Sequence, residues 1–256
     1  MPDIRSIIEY FDKIAPASLS EPWDNDGVMV LPEGTREVRK VALALDASGG
    51  LPHFAAEFGA DLILTHHPLI FKPLSSIDSS FAKHRTIMAL IRRDIPLISL
   101  HTRFDAADCG VNRVLAAALG VTVDENMISP AERKGAVYGS VRPDTARNLA
   151  LRAKELFNPA AITLSNPGKP VSRIGILGGA GKEFLKTALS LGLDLLLTGE
   201  LPYNDLLEAS EDGLSCLCFG HYESEIPVMY ALKKILESEF GVEATVYDEK
   251  PFTVIV

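Results

Sequence analysis

The sequence lacks the marks of a membrane-inserted or secreted protein. No apolar run reaches the ~18 residues that a membrane-spanning helix needs. Residues 1–16 have neither the basic start nor the small-residue cleavage site of a signal peptide. Cysteine is scarce, and three unevenly spaced cysteines do not suggest a disulfide framework. We therefore expect a cytoplasmic protein with Cys109, Cys216 and Cys218 packed in its core.

Basic residues are fewer than acidic ones. The 25 lysines and arginines face 34 aspartates and glutamates, which gives a net charge of −9. Surfaces that bind nucleic acid through its phosphates are usually basic, so nucleic acid is disfavoured as a partner and a small molecule is favoured. Bound divalent ions can still reverse the field inside the cleft of an acidic protein.

Short apolar strands alternate with helical segments along the chain. Residues 41–45 and 60–64 read as buried strands, and the apolar residues between them have helical spacing. Further helices are predicted at residues 111–119, where Gly120 is the stop, and at residues 146–157, 184–191 and 204–210. Strands flanked by helices predict a layered α/β domain, and the second half repeats this plan. We expect a first α/β unit at residues 1–130 and a second at residues 131–256, with a metal-binding cleft between them.

An internal repeat supports this duplication. Residues 59–65, Gly-Ala-Asp-Leu-Ile-Leu-Thr, resemble residues 192–198, Gly-Leu-Asp-Leu-Leu-Leu-Thr. Further along each half, a histidine and an acid stand four residues apart after a strand, and these pairs are His101 with Asp105 and His221 with Glu225. We interpret the halves as copies whose strand ends meet at a shared cleft. The alternative is chance, because short apolar strands resemble one another.

Two adjacent histidines follow the first repeated strand. Pro68 favours an extended backbone at His67, and neighbouring side chains of an extended chain point in opposite directions. His66 and His67 would then chelate one ion poorly. Each could serve a different ion, or one could bind while the other orients a carboxylate. The alternative is a solvated or hydrogen-bonded pair, and we favour ligands because strand-end loops carry function in α/β proteins.

Asp105 follows another strand and lies where a ligand is expected. Its alternative role is in a helix cap or a turn. Asp108 is the better capping candidate.

Glu225 precedes a helix that we predict at residues 228–239, with Pro227 in its first turn and Ser224 as N-cap. Its alternative role is to stabilise the helix dipole. Glu223 is a competing ligand, and we choose Glu225 because its spacing from His221 matches that of Asp105 from His101.

The number of candidate ligands indicates an open site with two ions. Three imidazoles and two carboxylates exceed the shell of one four-coordinate ion and cannot fill two shells, so water or substrate completes them. Mixed nitrogen and oxygen ligands suit zinc, iron, manganese or nickel. Two divalent ions beside two carboxylates leave a positive charge that attracts phosphate or a nucleotide. The predicted metal ligands are His66, His67, Asp105, His221 and Glu225.

A glycine-rich run spans residues 175–182. A P-loop would need glycine at Ile176 and Ser or Thr at Glu183, so the run fails that pattern. Its backbone amides could meet an anion, although a tight β-α turn is the favoured interpretation.

Five segments, in order along nearly the whole chain, resemble the Nif-three-like family of dinuclear-metal proteins, often labelled GTP cyclohydrolase I type-two homologues. The segments are Trp23-Asp-Asn-Asp-Gly27, Thr65-His-His-Pro-Leu-Ile-Phe71, His101-Thr-Arg-Phe-Asp-Ala106 with Gly110-Val-Asn112, Thr198-Gly-Glu200, and Gly220-His-Tyr-Glu-Ser-Glu225. The resemblance implies that the five predicted ligands bind two metal ions. It also implies a duplicated α/β fold and a ring-shaped homohexamer. The family commonly has other residues at Arg103, Phe104 and Asp108-Cys109, which we expect at the rim of the site.

Three functions compete at this point. The first is a metal-dependent hydrolase of a nucleotide or phosphate ester, GTP cyclohydrolase-like, with His101 or Glu200 moving protons. The second is a non-catalytic metal-handling or adaptor hexamer, since no unambiguous general base or nucleophile stands out. Nucleic-acid binding is the third and least favoured.

Overall fold

The computed structural model describes residues 1–33, 37–124 and 135–248, and these residues form two compact units. The first unit comprises Met1–Phe104 and the segment from Met229 onward, and the second comprises Asp105–Val228. The predicted boundary between residues 130 and 131 lies outside the described residues. Within the described ranges, no helix combines the length and apolarity needed to cross a membrane.

The first unit is built on a five-stranded sheet of order β1-β4-β3-β2-β11. β2, β3, β4 and β11 are parallel, and β1 pairs antiparallel with β4 at one edge. The central β3 is buried at every position, because helices cover both faces of a parallel sheet. The strands are β1 (Gly27–Val30), β2 (Lys40–Ala44), β3 (Leu62–Thr65), β4 (Leu97–Ser99) and β11 (Glu243–Tyr247).

Helices of the first unit pack apolar faces on this sheet. Asp3 caps the first of them by accepting a hydrogen bond from the backbone N–H of Arg5. Gly59 ends the second in the left-handed conformation, as a helix-terminating glycine does. The helices are α1 (Ile4–Ile14), α2 (Leu51–Phe58), α3 (Ala82–Arg93) and α4 (Thr102–Ala106), the last of which runs across the boundary into the second unit.

The second unit is built on a six-stranded sheet of order β5-β6-β8-β9-β10-β7. Its core, β8-β9-β10, is parallel, and β6 and β7 pair antiparallel on either side of it. The strands are β5 (Thr122–Val123), β6 (Val137–Thr145), β7 (Thr163–Leu164), β8 (Pro170–Ala180), β9 (Leu195–Glu200) and β10 (Ser215–Cys218). The prediction of an α/β fold with two layered units is confirmed.

Helices of the second unit mostly begin and end where the sequence predicts. The helices are α5 (Val111–Leu119), α6 (Ala146–Phe157), α7 (Leu185–Ser190), α8 (Tyr203–Glu211) and α9 (His221–Phe240), the last of which continues past Val228 into the first unit. Gly120 ends α5 with φ +65°, and Thr145 caps α6 through its hydroxyl oxygen.

The start of α9 differs from the prediction. The helix begins at His221, so Pro227 lies inside it and Ser224 is not its N-cap. The hydroxyl of Ser224 instead donates to the carbonyl oxygen of His221 over 2.7 Å. Because the helix includes both His221 and Glu225, their four-residue spacing puts the two side chains on the same helical face.

The internal repeat is a structural repeat. Asp61 accepts hydrogen bonds from the backbone N–H groups of Arg39 and Lys40, which begin the neighbouring strand. Asp194 does the same for Ser172 and Arg173. Each aspartate therefore joins the start of its own strand to that of the adjacent parallel strand.

Candidate metal centre

Three histidines of the first unit converge at the carboxyl end of its sheet. His66 and His67 follow β3, and His101 follows β4. One ligating atom of each lies within 4.8 Å of one from each of the others. The ring centroids of His66 and His67 are 5.0 Å apart, so the two rings do not diverge as an extended backbone would predict. The three histidines form a group that could hold a metal ion.

Hydrogen bonds fix which nitrogen of each ring faces the group. The Nδ1–H of the buried His66 donates to the carbonyl oxygen of Leu100 over 3.0 Å. His67 uses Nδ1 toward the carboxylate of Asp46 at 2.8 Å, and His101 uses Nδ1 toward a carboxylate at 2.7 Å. A carbonyl or ionised carboxylate only accepts, so Nδ1 carries the proton and Nε2 carries the lone pair. This is how histidine ligands are oriented in metal sites.

The carboxylate that holds His101 belongs to Asp24, whose side chain is fully buried. Burial would raise the pKa of Asp24, but hydrogen bonds from His101 and Thr102 outweigh it and lower the pKa from 3.8 to about 2. Both the backbone N–H and the hydroxyl of Thr102 donate to Asp24. Asp24 therefore stays ionised at neutral pH and fixes the orientation of His101.

A histidine and two carboxylates form the corresponding cluster of the second unit. Glu225 is only 4% exposed, and its Oε2 lies 3.3 Å from Nε2 of His221. On the other side of that ring, Nδ1 lies 3.1 Å from Oε1 of Glu200. A carboxylate this buried requires a nearby positive charge. A protonated His221 or a bound cation supplies one, which makes this pair suitable for a metal ion.

Glu223 is oriented differently from Glu225. Its carboxylate folds back over Gly220, at the first turn of α9. His221 pairs with Glu225 and Glu200. The geometry within this unit thus favours Glu225 over Glu223 as the partner of His221.

The glycine-rich run holds this cluster in place. Gly178 and Gly179 lie in β8 and not in the tight turn that the sequence favours. Their N–H groups donate to Asn112 Oδ1 over 2.7 Å and to Ser224 Oγ over 2.9 Å. A Cβ at Gly179 would overlap Oε1 of Glu225, and φ there is +62°. The glycines allow the first turn of α9 to pack directly on the strand, and these amides bind protein side chains.

Asp105 belongs to α4, at the start of the second unit. The amide of Asn112 donates to its backbone carbonyl over 3.2 Å and to the carbonyl of Gly135 over 3.0 Å. Asn112 is fully buried. From the interior of the unit, its hydrogen bonds connect α5 with α4, Gly135 and β8. Asp108 does not cap α5, because Gly110 is at that position and Asp108 pairs with Arg113 at 3.2 Å.

Two of the departures from the family pattern lie in the core of the first unit. Arg103 is 4% exposed, and its Nη1 lies 2.7 Å from Oδ1 of Asp12 while its Nε lies 3.5 Å from Asp26. Phe104 is fully buried against Phe11. The expectation that these residues line the rim is wrong, because both side chains turn inward and fix α4 to the rest of the unit.

The cysteines are internal, as expected, although not all are fully buried. Cys216 is buried, and Cys109 and Cys218 are partly exposed. Burial raises the pKa of Cys216 to about 11 and that of Cys218 to about 12. These thiols are therefore protonated at neutral pH and inert as nucleophiles.

Sequence reasoning missed the residues that orient the histidines. Asp46 comes two residues after the end of β2, at the same sheet edge as His67, and its position after a parallel strand was an available signal. Asp24 lies in the Trp-Asp-Asn-Asp-Gly motif, but nothing local connects it with a histidine far along the chain.

Known proteins resemble this chain over its whole length. The family described as Duf34/NIF3 (NGG1p interacting factor 3) matches residues 2–251. A Clostridium perfringens protein named GTP cyclohydrolase 1 type 2 homolog is 32% identical, covering 98% of this chain and 99% of its own. A Streptomyces coelicolor protein of the same name is 33% identical, covering 89% and 83%. The crystal structure of a Staphylococcus aureus hypothetical protein matches with a TM-score of 0.86 at 28% identity and covers 99% of both chains.

Proposed function

Because the chain belongs to the Duf34/NIF3 family, we propose that it binds two divalent metal ions and uses them to hydrolyse a nucleotide or another phosphate-containing small molecule. The observation that carries this proposal is the group of three histidines. Each has its Nδ1 engaged by an oxygen acceptor, so the Nε2 atoms of His66 and His67 can ligate a metal ion and that of His101 can exchange a proton beside it.

The proposed ligands come from both units. The first supplies His66 and His67, and the second supplies Asp105, His221 and Glu225. Imidazole nitrogens together with carboxylate oxygens suit zinc, iron, manganese or nickel. The near-complete burial of Glu225 supports its assignment, because an ionised carboxylate in that position is stabilised by a cation.

The metal ions would supply Lewis acidity toward a phosphoryl or carbonyl oxygen of the substrate. His101 is the proposed proton carrier of the first unit, since the buried Asp24 holds its ring in one orientation. Glu200 is the proposed proton carrier of the second unit, because its carboxylate is 60% exposed and contacts His221. Both residues could therefore exchange a proton with a bound substrate while their partners stay fixed.

Both bacterial relatives carry the name GTP cyclohydrolase 1 type 2 homolog, which makes GTP the first substrate to test. We also propose a homohexamer, on the resemblance of the sequence motifs. Sedimentation of the native protein, with and without a chelator, measures that assembly and its dependence on metal.

The decisive experiment is elemental analysis of protein purified without added metal, paired with assays of the same sample on GTP, other nucleotides and phosphodiesters. We expect about two divalent ions per chain and turnover that Asp105→Ala abolishes. His53→Ala is the matched control, because His53 is an exposed histidine that pairs with Glu57 on α2. Metal-loaded protein that turns over none of these compounds, and behaves like Asp105→Ala, would support a metal-handling role in place of hydrolysis.

A further inference from the structure

The largest aromatic side chain of the protein lies exposed beside the three histidines. Trp23 is 53% exposed and is the only tryptophan of the chain. Its ring centroid lies 6.3 Å from that of His101 and 6.0 Å from that of Phe71. His101 is in turn 5.4 Å from His66 and 5.6 Å from His67, measured between ring centroids. The indole therefore borders the histidine group directly.

The two neighbouring rings do not stack on the indole. The planes of Phe71 and His101 meet that of Trp23 at 65° and 74°, so both contacts are edge contacts. An edge contact joins the edge of one ring to the face of another, so it covers less of a face than a parallel ring does. The exposed half of Trp23 is consistent with a flat surface that can receive another ring.

The loop that carries Trp23 is rigidly held, although the indole itself is exposed. The next residue, Asp24, is buried and bonded to His101 and Thr102. The backbone N–H of Glu21 donates to the hydroxyl of Thr102 over 3.0 Å, and the side-chain amide of Asn25 donates to the carbonyl of Ile70. The backbone on both sides of Trp23 is thus fixed to the segments that carry His101 and Phe71. A large apolar side chain exposed on a fixed backbone is typical of a binding residue.

We propose that Trp23 is the stacking residue of the substrate site and that it takes a flat aromatic heterocycle, such as a nucleobase. A ring stacked on the indole at van der Waals separation, ~3.5–4 Å, lies beside His101, where the proposed chemistry takes place. The inference rests on the proposed function for the identity of the site and adds the class of group that the site recognises. Stacking on an aromatic side chain needs only a π-face, so it selects for a flat ring in general.

The test uses binding and not turnover. The probes are guanosine 5′-monophosphate and ribose 5-phosphate, which share the phosphate and the sugar and differ in the base. Because Trp23 is the only tryptophan, its fluorescence reports directly on stacking. We expect guanosine 5′-monophosphate to quench this fluorescence saturably and ribose 5-phosphate to leave it unchanged.

Calorimetric titration then compares variants of the metal-loaded full chain. Trp23→Ala should weaken binding of guanosine 5′-monophosphate by about 5- to 100-fold, and Trp23→Phe should keep most of the affinity because it keeps a flat ring. Neither change should alter binding of ribose 5-phosphate. Phe81→Ala is the control, since Phe81 is 59% exposed and packs on His84.

The proposal is overturned if both probes bind equally or guanosine 5′-monophosphate does not bind. Unchanged affinity in Trp23→Ala would overturn it too, as would an effect of Trp23→Ala on sedimentation alone, which would assign the indole to assembly. Titration of chelator-treated protein with guanosine 5′-monophosphate separates failure of the stacking proposal from failure of the metal proposal. Base-dependent quenching without metal supports the stacking role even if hydrolysis fails.

Discussion

The two units use one strand arrangement to present different ligand chemistry. Thr65 and Thr198 occupy equivalent positions of β3 and β9, and the next two residues are two histidines in the first unit but glycine and glutamate in the second. Asp46, which orients His67, lies two residues beyond the partner of Thr65 on the neighbouring strand; counted in the same way from the partner of Thr198, the residue is Gly179. The first unit therefore offers imidazoles oriented by oxygen acceptors, and the second offers carboxylates around a single imidazole.

The strand register also changes which residues of the two halves correspond to each other. The backbone N–H of Leu100 donates to Thr65, and that of Phe219 donates to Thr198, so Leu100 and Phe219 are equivalent. His101 then corresponds to Gly220 and not to His221. The similar histidine-to-acid spacings belong to positions shifted by one residue. The equivalence between the two units lies in their strands and in Asp61 and Asp194, while the candidate ligands differ.

The largest effect is expected at Gly179, where the first unit has Asp46. Gly179→Ala forces a methyl group into the carboxylate of Glu225 at a positive φ, and should lower the free energy of unfolding by about 2–4 kcal/mol. Urea denaturation measures this. Gly168→Ala is the matched control, because a Cβ there meets nothing within 4 Å. Equal stability of the two variants would contradict the packing argument.

Metal binding tests whether both units contribute to the centre. Zinc at a hundred times its dissociation constant should stabilise the protein by about 2.7 kcal/mol, measured by thermal unfolding with and without the ion. His66→Ala and His221→Ala should each remove most of that gain, and the exposed His53→Ala should keep it. A gain that survives in His221→Ala would confine the ion to the first unit.

The residues that orient the histidines should differ in their effect on stability. Asp24→Asn replaces a fully buried carboxylate that accepts hydrogen bonds from His101 and Thr102, and should cost about 1–3 kcal/mol. Glu200→Gln changes a carboxylate that is 60% exposed and should stay within about 0.5 kcal/mol. Chemical denaturation of both variants gives the comparison. Equal losses would mean that burial does not distinguish the two roles.

A modest loss of stability is expected where the units agree. Asp61→Asn and Asp194→Asn each weaken two backbone hydrogen bonds and should cost about 0.5–1.5 kcal/mol. Burial opposes the shift, but hydrogen bonds from Ser172 and Arg173 lower the pKa of Asp194 below 3.8. Its contribution is therefore present above pH 3.8 and is lost as the pH falls through the lowered pKa. The Asp194→Asn and wild-type stability curves should converge on acidification, and a constant difference would contradict this account.

The sequence predicted the parallel core because its signals are local. Helices α5 and α6 begin and end as predicted, since a glycine or a polar cap marks the limits of each. It missed α1, β1, α4, β5 and β11. The partner of β11 is β2, roughly the whole chain away, and a short strand of mixed polarity has no local mark of such a pairing.

The candidate ligands could be predicted from local signals, whereas most of the residues that support them could not. His66, His67 and His221 follow buried strands, where α/β proteins place functional groups. The last helix was predicted to start too late because of Pro227. A proline inside a helix is uncommon, and its neighbour Ser224 offered a plausible N-cap. Asn112 and Ser224 act through hydrogen bonds to glycines distant in sequence, which no spacing rule reveals.

The pairing of β11 with β2 bears on the order in which the chain folds as it is synthesised. Among the described residues the second unit is one segment, Asp105–Val228, whereas the first sheet takes its last strand from Glu243–Tyr247. Domains fold as units during translation, so a nascent chain can complete the described strands of the second sheet while the earlier sheet still exposes the edge of β2. An exposed parallel edge is a target for aggregation until its partner emerges. A chain truncated before Glu243 would thus hold the strands of the second sheet and an open first sheet.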